Sequence, residues 1–276
     1  MVKLSVNLDE IFNYLKPLKN VVVAFSGGVD SALLSELCVK ALGFDNSLIV
    51  TADSPSLPRD ELVQCGKLAA SRGWQFRAVT TNEFENDKYL RNDENRCSYC
   101  KTSLMDALVP IALERGAIIL LGIHAEDSFI DRPGQRTAQK LGAMFPFLDL
   151  GLTKLDIRKL AEEFDLDVHD KPSSACLSSR IPTGERVSIR KIRMVEEAEK
   201  FIKSFGISEV RVRIHNDIAR IELRDTNLLI DELFRNSVVK YLKNIGFKYV
   251  TLDLCGFRDS LVSDVSSVVE MPEGKI

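Results

Sequence analysis

The sequence predicts an α/β fold, a parallel sheet with flanking helices followed by a smaller C-terminal α+β domain, and three observations carry that prediction. Through most of the first two thirds of the chain, short apolar runs alternate with longer stretches of helical periodicity, as parallel strands joined by helical crossovers require. The run VVVAF enters a glycine turn and leaves it as a helix-like segment, SGGVDSALL. Beyond a serine- and proline-rich stretch the periodicity changes to strand-like alternation, which marks a second unit.

Residues 21–25, 48–51, 76–80 and 118–123 read as the four strands of the first unit. Between them, Leu34, Leu37, Cys38 and Ala41 fall at i, i+3, i+4 and i+7, on one helical face. Ile157, Leu160, Ala161 and Phe164 repeat the spacing, preceded by Thr153 with Asp156 three residues on, a capping box. Right-handed crossovers make a parallel sheet the economical solution. In 171–186, KPSSACLSSRIPTGER, two prolines, four serines and a glycine break the pattern. The expected domains are therefore 1–180 and 181–276. In the second, Ala198, Phe201, Ile202 and Phe205 form a helix face, and Val210, Val212 and Ile214 point to one side of a strand with Arg211, Arg213 and His215 on the other. After the turn-like pair Asn216 and Asp217, 218–223 reads as a partner strand, 228–245 as a helix and 249–254 as a strand. There is no internal repeat.

Composition bounds the function. With 45% hydrophobic and 28% charged residues in 276, the chain is neither disordered nor fibrous. Thirty-seven Lys and Arg against 40 Asp and Glu leave a net charge of −3, so nothing global draws it to nucleic acid or to an anionic membrane. No apolar run reaches spanning length, and MVKLSVNLDE holds no stretch of the signal-peptide kind, so the expected location is cytoplasmic. Six cysteines are too sparse for a disulfide scaffold. Cys38, Cys65 and Cys255 lie in or beside apolar segments and read as buried small hydrophobes. Cys97, Cys100 and Cys176 have polar neighbours and read as metal, redox or catalytic candidates.

The most informative segment is Ser26-Gly27-Gly28-Val29-Asp30-Ser31 between a buried strand and a helix. Backbone amides of such a turn, with the helix N-terminus behind them, bind anions. Glycine lets a phosphate approach the backbone, and Ser26 and Ser31 offer hydroxyl donors. The Walker and Rossmann glycine patterns are both absent. The plainer alternative is a tight turn with Asp30 or Ser31 as an ordinary N-cap.

SGGVDS after a buried strand resembles the pyrophosphate loop of the ATP pyrophosphatases, and KLDIRKLAEEFDL followed by KPSSAC is similar to the same superfamily. The resemblance implies an adenine-nucleotide α-hydrolase-like fold and cleavage of ATP between its α and β phosphates, with an adenylated substrate and released pyrophosphate. It places Asp30 near magnesium-bound phosphates, Ser26, Gly27, Gly28 and Ser31 on the pyrophosphate, and backbone near Ala24 and Thr51 against adenosine. In GIHAEDSFIDRPG, after the fourth strand, Asp127, Asp131 and Arg132 are candidates because open α/β sheets bind ligands at strand ends. His124 reads better as a structural histidine.

Cys97-Ser98-Tyr99-Cys100 opens an apolar helix, a position that lowers thiol pKa, and Cys176 stands near the cation Arg180. One CxxC pair does not complete a zinc ribbon. A redox dithiol is an alternative. Three thiolates on a cubane leave one iron open to an exogenous ligand such as sulfide.

SSACLSSRIPTGE, VRVRIHNDIARIEL and YVTLDLCGFR together resemble the LarE family of ATP-dependent sulfur transferases over essentially the whole chain. The family makes the thiocarboxylates of a nickel-pincer nucleotide by adenylating, then sulfurating, a pyridinium biscarboxylic acid mononucleotide. Cys176 matches its sulfur-bearing cysteine. In one branch that cysteine gives up its own sulfur and becomes dehydroalanine. The Cys97 and Cys100 pair departs from that branch and resembles the one whose three cysteines, here Cys97, Cys100 and Cys176, bind a [4Fe-4S] cluster. Sacrifice of Cys176, a zinc site, a regulatory disulfide and inert thiols are the alternatives. The resemblance further implies ATP, Mg2+ and sulfide or another sulfur donor, a homo-oligomer, and substrate contacts from Arg180, Arg132, Arg211 and Arg213. Bidentate guanidinium contacts suit a mononucleotide phosphate. Taken without the resemblance, Arg211, Arg213 and Arg220 read as a solvated strand face partly neutralised by Glu222, and His215 as a turn residue.

Three other functions compete. A tRNA-thiolating relative conflicts with the net charge and with the lack of a long basic stripe. An NAD synthetase relative would use ammonia and need no thiol. A nucleotide-binding sensor would release no pyrophosphate.

Overall fold

The computed structural model describes residues 7–129, 133–172, 175–225 and 231–257. Contacts divide the chain into two units, 1–196 and 197–276. In the first unit Asn7 caps α1 (Leu8–Leu15) through a capping box with Glu10. Then follow β1 (Val21–Ala24), α2 (Val29–Leu42), β2 (Ser47–Asp53), α3 (Arg59–Ser71), β3 (Gln75–Thr80), α4 (Asp87–Leu90), α5 (Arg96–Arg115), β4 (Ile118–Leu121), α6 (Pro133–Lys140), α7 (Pro146–Asp149) and α8 (Lys154–Glu163), and the division of the chain falls within α9 (Ile189–Lys203). Thr153 and Asp156 form the expected capping box of α8.

The four strands lie in the order β3-β2-β1-β4, all parallel, with Val23 in register with Ile49 on one side and Leu120 on the other. The chain moves outward from β1 through β2 to β3 and then returns to the far side of β1 with β4. That reversal opens a crevice beyond the C-terminal ends of β1 and β4, where open α/β sheets take their ligands. Side chains alternate between two cores. Val21, Val23, Ile49 and Leu120 pack with Leu33, Leu37 and Ile157, while Val22, Val50, Ile119 and Leu121 pack with Met105 and Leu108. Burial on both faces explains why β1, β4 and the first half of β2 read as apolar runs, whereas the edge strand β3, QFRAVT, is partly exposed.

β4 and α2 differ from the sequence reading near the site. β4 stops at Leu121, short of the expected 123, because Ile123 N–H turns back to Leu121 O at 3.0 Å. Burial of α2 is wider than one face, since Val29, Ala32 and Leu33 are buried with Leu34, Leu37 and Cys38. Even Glu36 is buried there, accepting from Arg72 Nη2 at 2.6 Å and Trp74 Nε1 at 3.0 Å. Burial alone would push the Glu36 carboxyl up; the Arg72 and Trp74 donors outweigh it and hold it below the usual range.

In the second unit β5 (Val210–His215) and β6 (Ile218–Leu223) form an antiparallel hairpin across Asn216, whose φ is 53°. After α10 (Glu232–Asn244), β7 (Tyr249–Leu252) joins β6 in parallel. Val210, Val212 and Ile214 are buried as the alternation predicts, and Phe201 stacks on Tyr241 at 3.9 Å. Phe205 lies past the end of α9 and is exposed rather than on a buried helix face. The division at 196/197 falls beyond the 180/181 boundary read from composition. Asn92 holds the intervening loop in the first unit, its Nδ2 donating to Pro182 O at 2.7 Å and Glu185 O at 2.9 Å. No helix among the described residues is long and apolar enough to cross a membrane.

Gly122 fixes how closely β4 approaches α2. A Cβ there would stand 2.8 Å from Asp30 C and 2.9 Å from Ser31 N, and backbone cannot swing aside. Gly122→Ala should therefore destabilise the fold by about 1–3 kcal/mol. Thermal denaturation checks this, and an unchanged Tm would contradict it. The depressed Glu36 carboxyl predicts stability that is fully present above its unfolded pKa of about 4.3 and declines as pH falls below it. Glu36→Gln should remove that part of the acid sensitivity in pH-dependent denaturation.

Candidate active site

Val21, Val22 and Val23 of β1 are buried, so the turn that follows the strand is firmly anchored. Gly27 takes φ +77°, and a Cβ on it would stand 2.8 Å from Cys65 Sγ. Gly28 is the N-cap of α2, and no side chain caps the first turn. This replaces the alternative in which Asp30 or Ser31 serves as the N-cap. With a cap lacking a side chain, the first-turn amides and the positive end of the helix dipole face outward. Ser26 and Ser31 close the loop: Ser31 Oγ accepts from Ser26 N at 3.1 Å, lies 3.1 Å from Ser26 Oγ, and donates to Gly28 O at 3.1 Å. A Cβ on Gly28 would meet only Ser26 Oγ, at an ordinary 3.6 Å, so any objection to a side chain there comes from a ligand and not from the fold.

Two lysines brace this loop. Lys154 Nζ donates to both Asp30 oxygens, at 2.7 and 2.6 Å. Lys171 Nζ donates to Gly27 O at 3.0 Å and to Glu61 Oε2 at 2.6 Å. Neither emerged from the sequence as a site residue, although each belongs to a segment singled out there. Lys154 opens the capped helix KLDIRKLAEE and Lys171 begins KPSSAC.

A cleft of about 320 Å3 extends from this loop, with Ala24, Ser26, Asp30, Ser31 and Thr51 at one part of its lining and Cys100 and Cys176 at another. Thr51 Oγ1 donates to Phe25 O at 2.8 Å, which turns its side chain away from solvent. A second cleft of about 270 Å3 includes Gly27, Gly28, Asp30, Lys154, Lys171 and Cys176. Asp127 instead folds toward His124, Oδ2 lying 3.4 Å from Nε2. Asp131 and Arg132 lie outside the described residues.

The thiols are held by a buried polar hub. Ser56, Tyr89 and Ser178 hydroxyls form a closed triangle with edges of 2.7, 2.6 and 2.7 Å, and Leu177 N donates to Ser56 O at 2.9 Å. Arg96, at the start of α5, donates to Ser178 O at 2.8 Å. The helix carrying Cys97 and Cys100 is thus tied to the loop carrying Cys176. Gly134 permits α6 to touch α5 at the same end, since a Cβ there would stand 2.8 Å from Cys97 O. Cys97 and Cys176 are exposed. Burial pushes the Cys100 thiol up to about 12, opposed by Lys101 and reinforced by the charges of Cys176, Glu83 and Cys97. That corrects the expectation of a lowered thiol for this member of the pair. α5 starts at Arg96, so Cys100 already sits in the second turn, where the helix-terminal field has faded and desolvation wins. Arg180 is buried and donates to Ala175 O at 3.1 Å and Ser179 Oγ at 3.0 Å. Among the described residues no group of three His, Cys, Asp or Glu side chains converges on one metal-ion position. Cys38 and Cys65 are buried as expected; Cys255 is exposed, which overturns its reading as a core residue, because it follows the last strand rather than lying in it.

In the second unit Arg211 is buried and its guanidinium lies 4.1 Å from the centroid of the Phe257 ring. Arg213 Nε donates to Glu222 Oε1 at 2.5 Å, and Arg220 Nη2 reaches the same oxygen at 3.1 Å. The solvated-face reading is therefore wrong for Arg211, while the partial neutralisation by Glu222 holds.

An NAD synthase family model matches residues 6–95, the part that contains the loop. The NH(3)-dependent NAD(+) synthetase of Finegoldia magna is 30% identical over 57% of this chain and 66% of its own length. An uncharacterized protein of Synechocystis is 36% identical over 95% of this chain and 98% of its own. The pyridinium-3,5-bisthiocarboxylic acid mononucleotide synthase of Lactiplantibacillus plantarum is 34% identical over 98% of this chain and 99% of its own length. The chain belongs to the LarE family.

In this LarE-family chain the loop, Asp30, Cys100 and Cys176 meet around one cleft, and Asp127 is not part of its lining. Lys154, Lys171, Asn92 and the Ser56–Tyr89–Ser178 triangle went unrecognised in the sequence. Their partners are 33 to 144 residues away along the chain, beyond the reach of any local pattern. The raised Cys100 thiol yields a direct expectation. A thiol alkylates as its thiolate, and a raised pKa keeps Cys100 protonated at about pH 8. Its labelling by iodoacetamide, followed by peptide mass spectrometry, should lag behind that of Cys97 and Cys176 and climb as pH is raised toward 12. Equal labelling of all three at about pH 8 would contradict the burial account.

Proposed function

We propose that the protein is an ATP-dependent sulfur transferase that adenylates a carboxylate of pyridinium-3,5-biscarboxylic acid mononucleotide and converts it to a thiocarboxylate. The observation that carries this reading is one cleft lined by Ser26, Asp30 and Ser31 together with Cys100 and Cys176. An anion-binding helix terminus and thiols in the same cleft suit activation by ATP followed by sulfur chemistry. The Lactiplantibacillus relative, a pyridinium-3,5-bisthiocarboxylic acid mononucleotide synthase, supports the substrate.

The α2 amides and the Ser26 and Ser31 hydroxyls receive the β and γ phosphates. Asp30 would hold Mg2+, which supplies charge neutralisation on the phosphates when bound. The Lys154 ammonium, otherwise occupied by Asp30, then becomes available to phosphate oxygen. A substrate carboxylate oxygen attacks the α phosphorus, the bond from that phosphorus to the bridging oxygen breaks, and pyrophosphate leaves. A sulfur nucleophile next attacks the acyl carbon of the adenylate, and AMP departs with the bonding electrons.

The donor set of Cys97, Cys100 and Cys176 fits a [4Fe-4S] cluster. Each thiolate of a cubane ligates a different iron, so the sulfurs need not converge on one point, and iron would also draw the proton from the raised Cys100 thiol. Such a cluster, with one iron not ligated by protein, supplies a place for exogenous sulfide. The competing source is Cys176 itself: its thiolate attacks the acyl carbon, and elimination across Cα–Cβ releases the thiocarboxylate and leaves dehydroalanine. Arg211 and Arg213 are assigned to the mononucleotide phosphate, which suits guanidinium geometry.

Anaerobic enzyme supplied with ATP, sulfide and the pyridinium mononucleotide should form thiocarboxylate beyond one equivalent with its polypeptide mass unchanged; a mass loss at Cys176 corresponding to hydrogen sulfide would assign the sulfur to the cysteine. Replacing Cys97, Cys100 or Cys176 by Ser should lower iron content and sulfur transfer together while pyrophosphate release survives. Gly28→Val should fold and lose pyrophosphate release, and normal turnover in that variant would contradict the loop assignment. Arg211→Ala and Arg213→Ala should each weaken mononucleotide binding by about 1.5–3 kcal/mol and leave ATP binding intact, as titration of each ligand would show.

A further inference from the structure

After β3 the chain turns through Thr81 to Glu83, and both side chains line the cleft of about 320 Å3. Both are buried, Thr81 at 8% and Glu83 at 1% exposure. The Ser54 hydroxyl donates to Glu83 Oε1 and so orients the carboxylate. Glu83 Oε2 and Thr81 Oγ1 are buried and have no hydrogen-bond partner. A buried polar group left without a partner is destabilising, and more so when charged. Two of them in one ligand cleft are complementary to a ligand that brings its own hydroxyl or amine hydrogens.

The carboxylate oxygen can only accept, whereas the threonine hydroxyl donates or accepts. A vicinal diol matches that pair, one hydroxyl donating to Glu83 and the other exchanging a hydrogen bond with Thr81. The rest of the cleft provides for the base by other means. Val50, Leu104 and Leu121 supply apolar walls, and β2 runs on to Asp53 beyond Ala24↔Val50, its last pairing with β1, leaving backbone for the edge of a purine. We propose that Thr81 and Glu83 form a ribose subsite that binds the 2′ and 3′ hydroxyls of ATP. This inference rests on the reading of the cleft as the ATP site.

Calorimetric titration of the full-length protein with ATP, 2′-deoxy-ATP and 3′-deoxy-ATP tests it. In the unmodified protein at least one deoxynucleotide should bind about tenfold or more weakly than ATP, the scale of a hydrogen bond to a charged group. In Glu83→Ala, and in Glu83→Gln, where the amide can turn a donor to the cleft, that penalty should shrink to about twofold or less. Equal affinity for all three nucleotides in the unmodified protein overturns the proposal, and so does a penalty undiminished in the folded Glu83 variants. Should those variants fail to fold, Thr81→Val, close to isosteric, replaces them, with the same expectation for the hydroxyl that it faces. Absence of ATP binding to the unmodified protein would instead remove the ATP site itself.

Discussion

The structure depends on one arrangement of peptide groups: the first turn of α2 has no side chain to cap it, because its N-cap is Gly28. Everything around the turn follows from keeping those amides fixed and exposed. β1 must be buried on both faces to anchor the strand end, and Gly27 must adopt φ +77° beside Cys65. Gly122 must lack a Cβ so that β4 can approach the same helix terminus. Lys171 on Gly27 O and Lys154 on Asp30 then hold the loop from the outside. A helix terminus left in this state favours an anion, and the reversal of strand order beside it gives that anion a crevice.

A second constraint concerns the thiols, which belong to segments far apart in sequence. The 89–96 segment clamps the loop that carries Cys176 through Tyr89, Asn92 and Arg96. Asn92 reaches the loop from φ +58°, a conformation that asparagine tolerates better than most residues. Because α5 begins at Arg96, the clamp and the helix bearing Cys97 and Cys100 are continuous. The placement of the nucleotide loop and the placement of the sulfur-bearing groups therefore rest on separate devices. Damage to one need not destroy the other, which is why adenylation and sulfur transfer are separable in principle.

Much of the fold was legible because it is written locally. Uninterrupted apolar runs mark strands buried on both faces, Thr153 and Asp156 mark a helix start, and alternation at 210–214 marks the first strand of the second unit. The loop was legible because two glycines in that position have few other uses. What escaped is what long-range packing decides. Arg211 looked solvated from strand periodicity, yet Phe257 covers it. Cys255 looked like core but follows the strand end. Position at a helix start suggested a low pKa for Cys100, and burial reversed its sign. Lys154 and Lys171 carry no signature in sequence beyond a positive charge, and only the returning chain brings them to the loop.

The central claim is that this cleft activates a carboxylate by cleaving ATP between its α and β phosphates. Phosphorus-31 NMR of the reaction with ATP and the pyridinium mononucleotide, under anaerobic conditions, reads the bond broken without reference to the sulfur source. The account predicts pyrophosphate matched by an equal amount of AMP, held in the acyl adenylate or freed from it by sulfur, formed only with the mononucleotide present. ADP and inorganic phosphate as the products would contradict it.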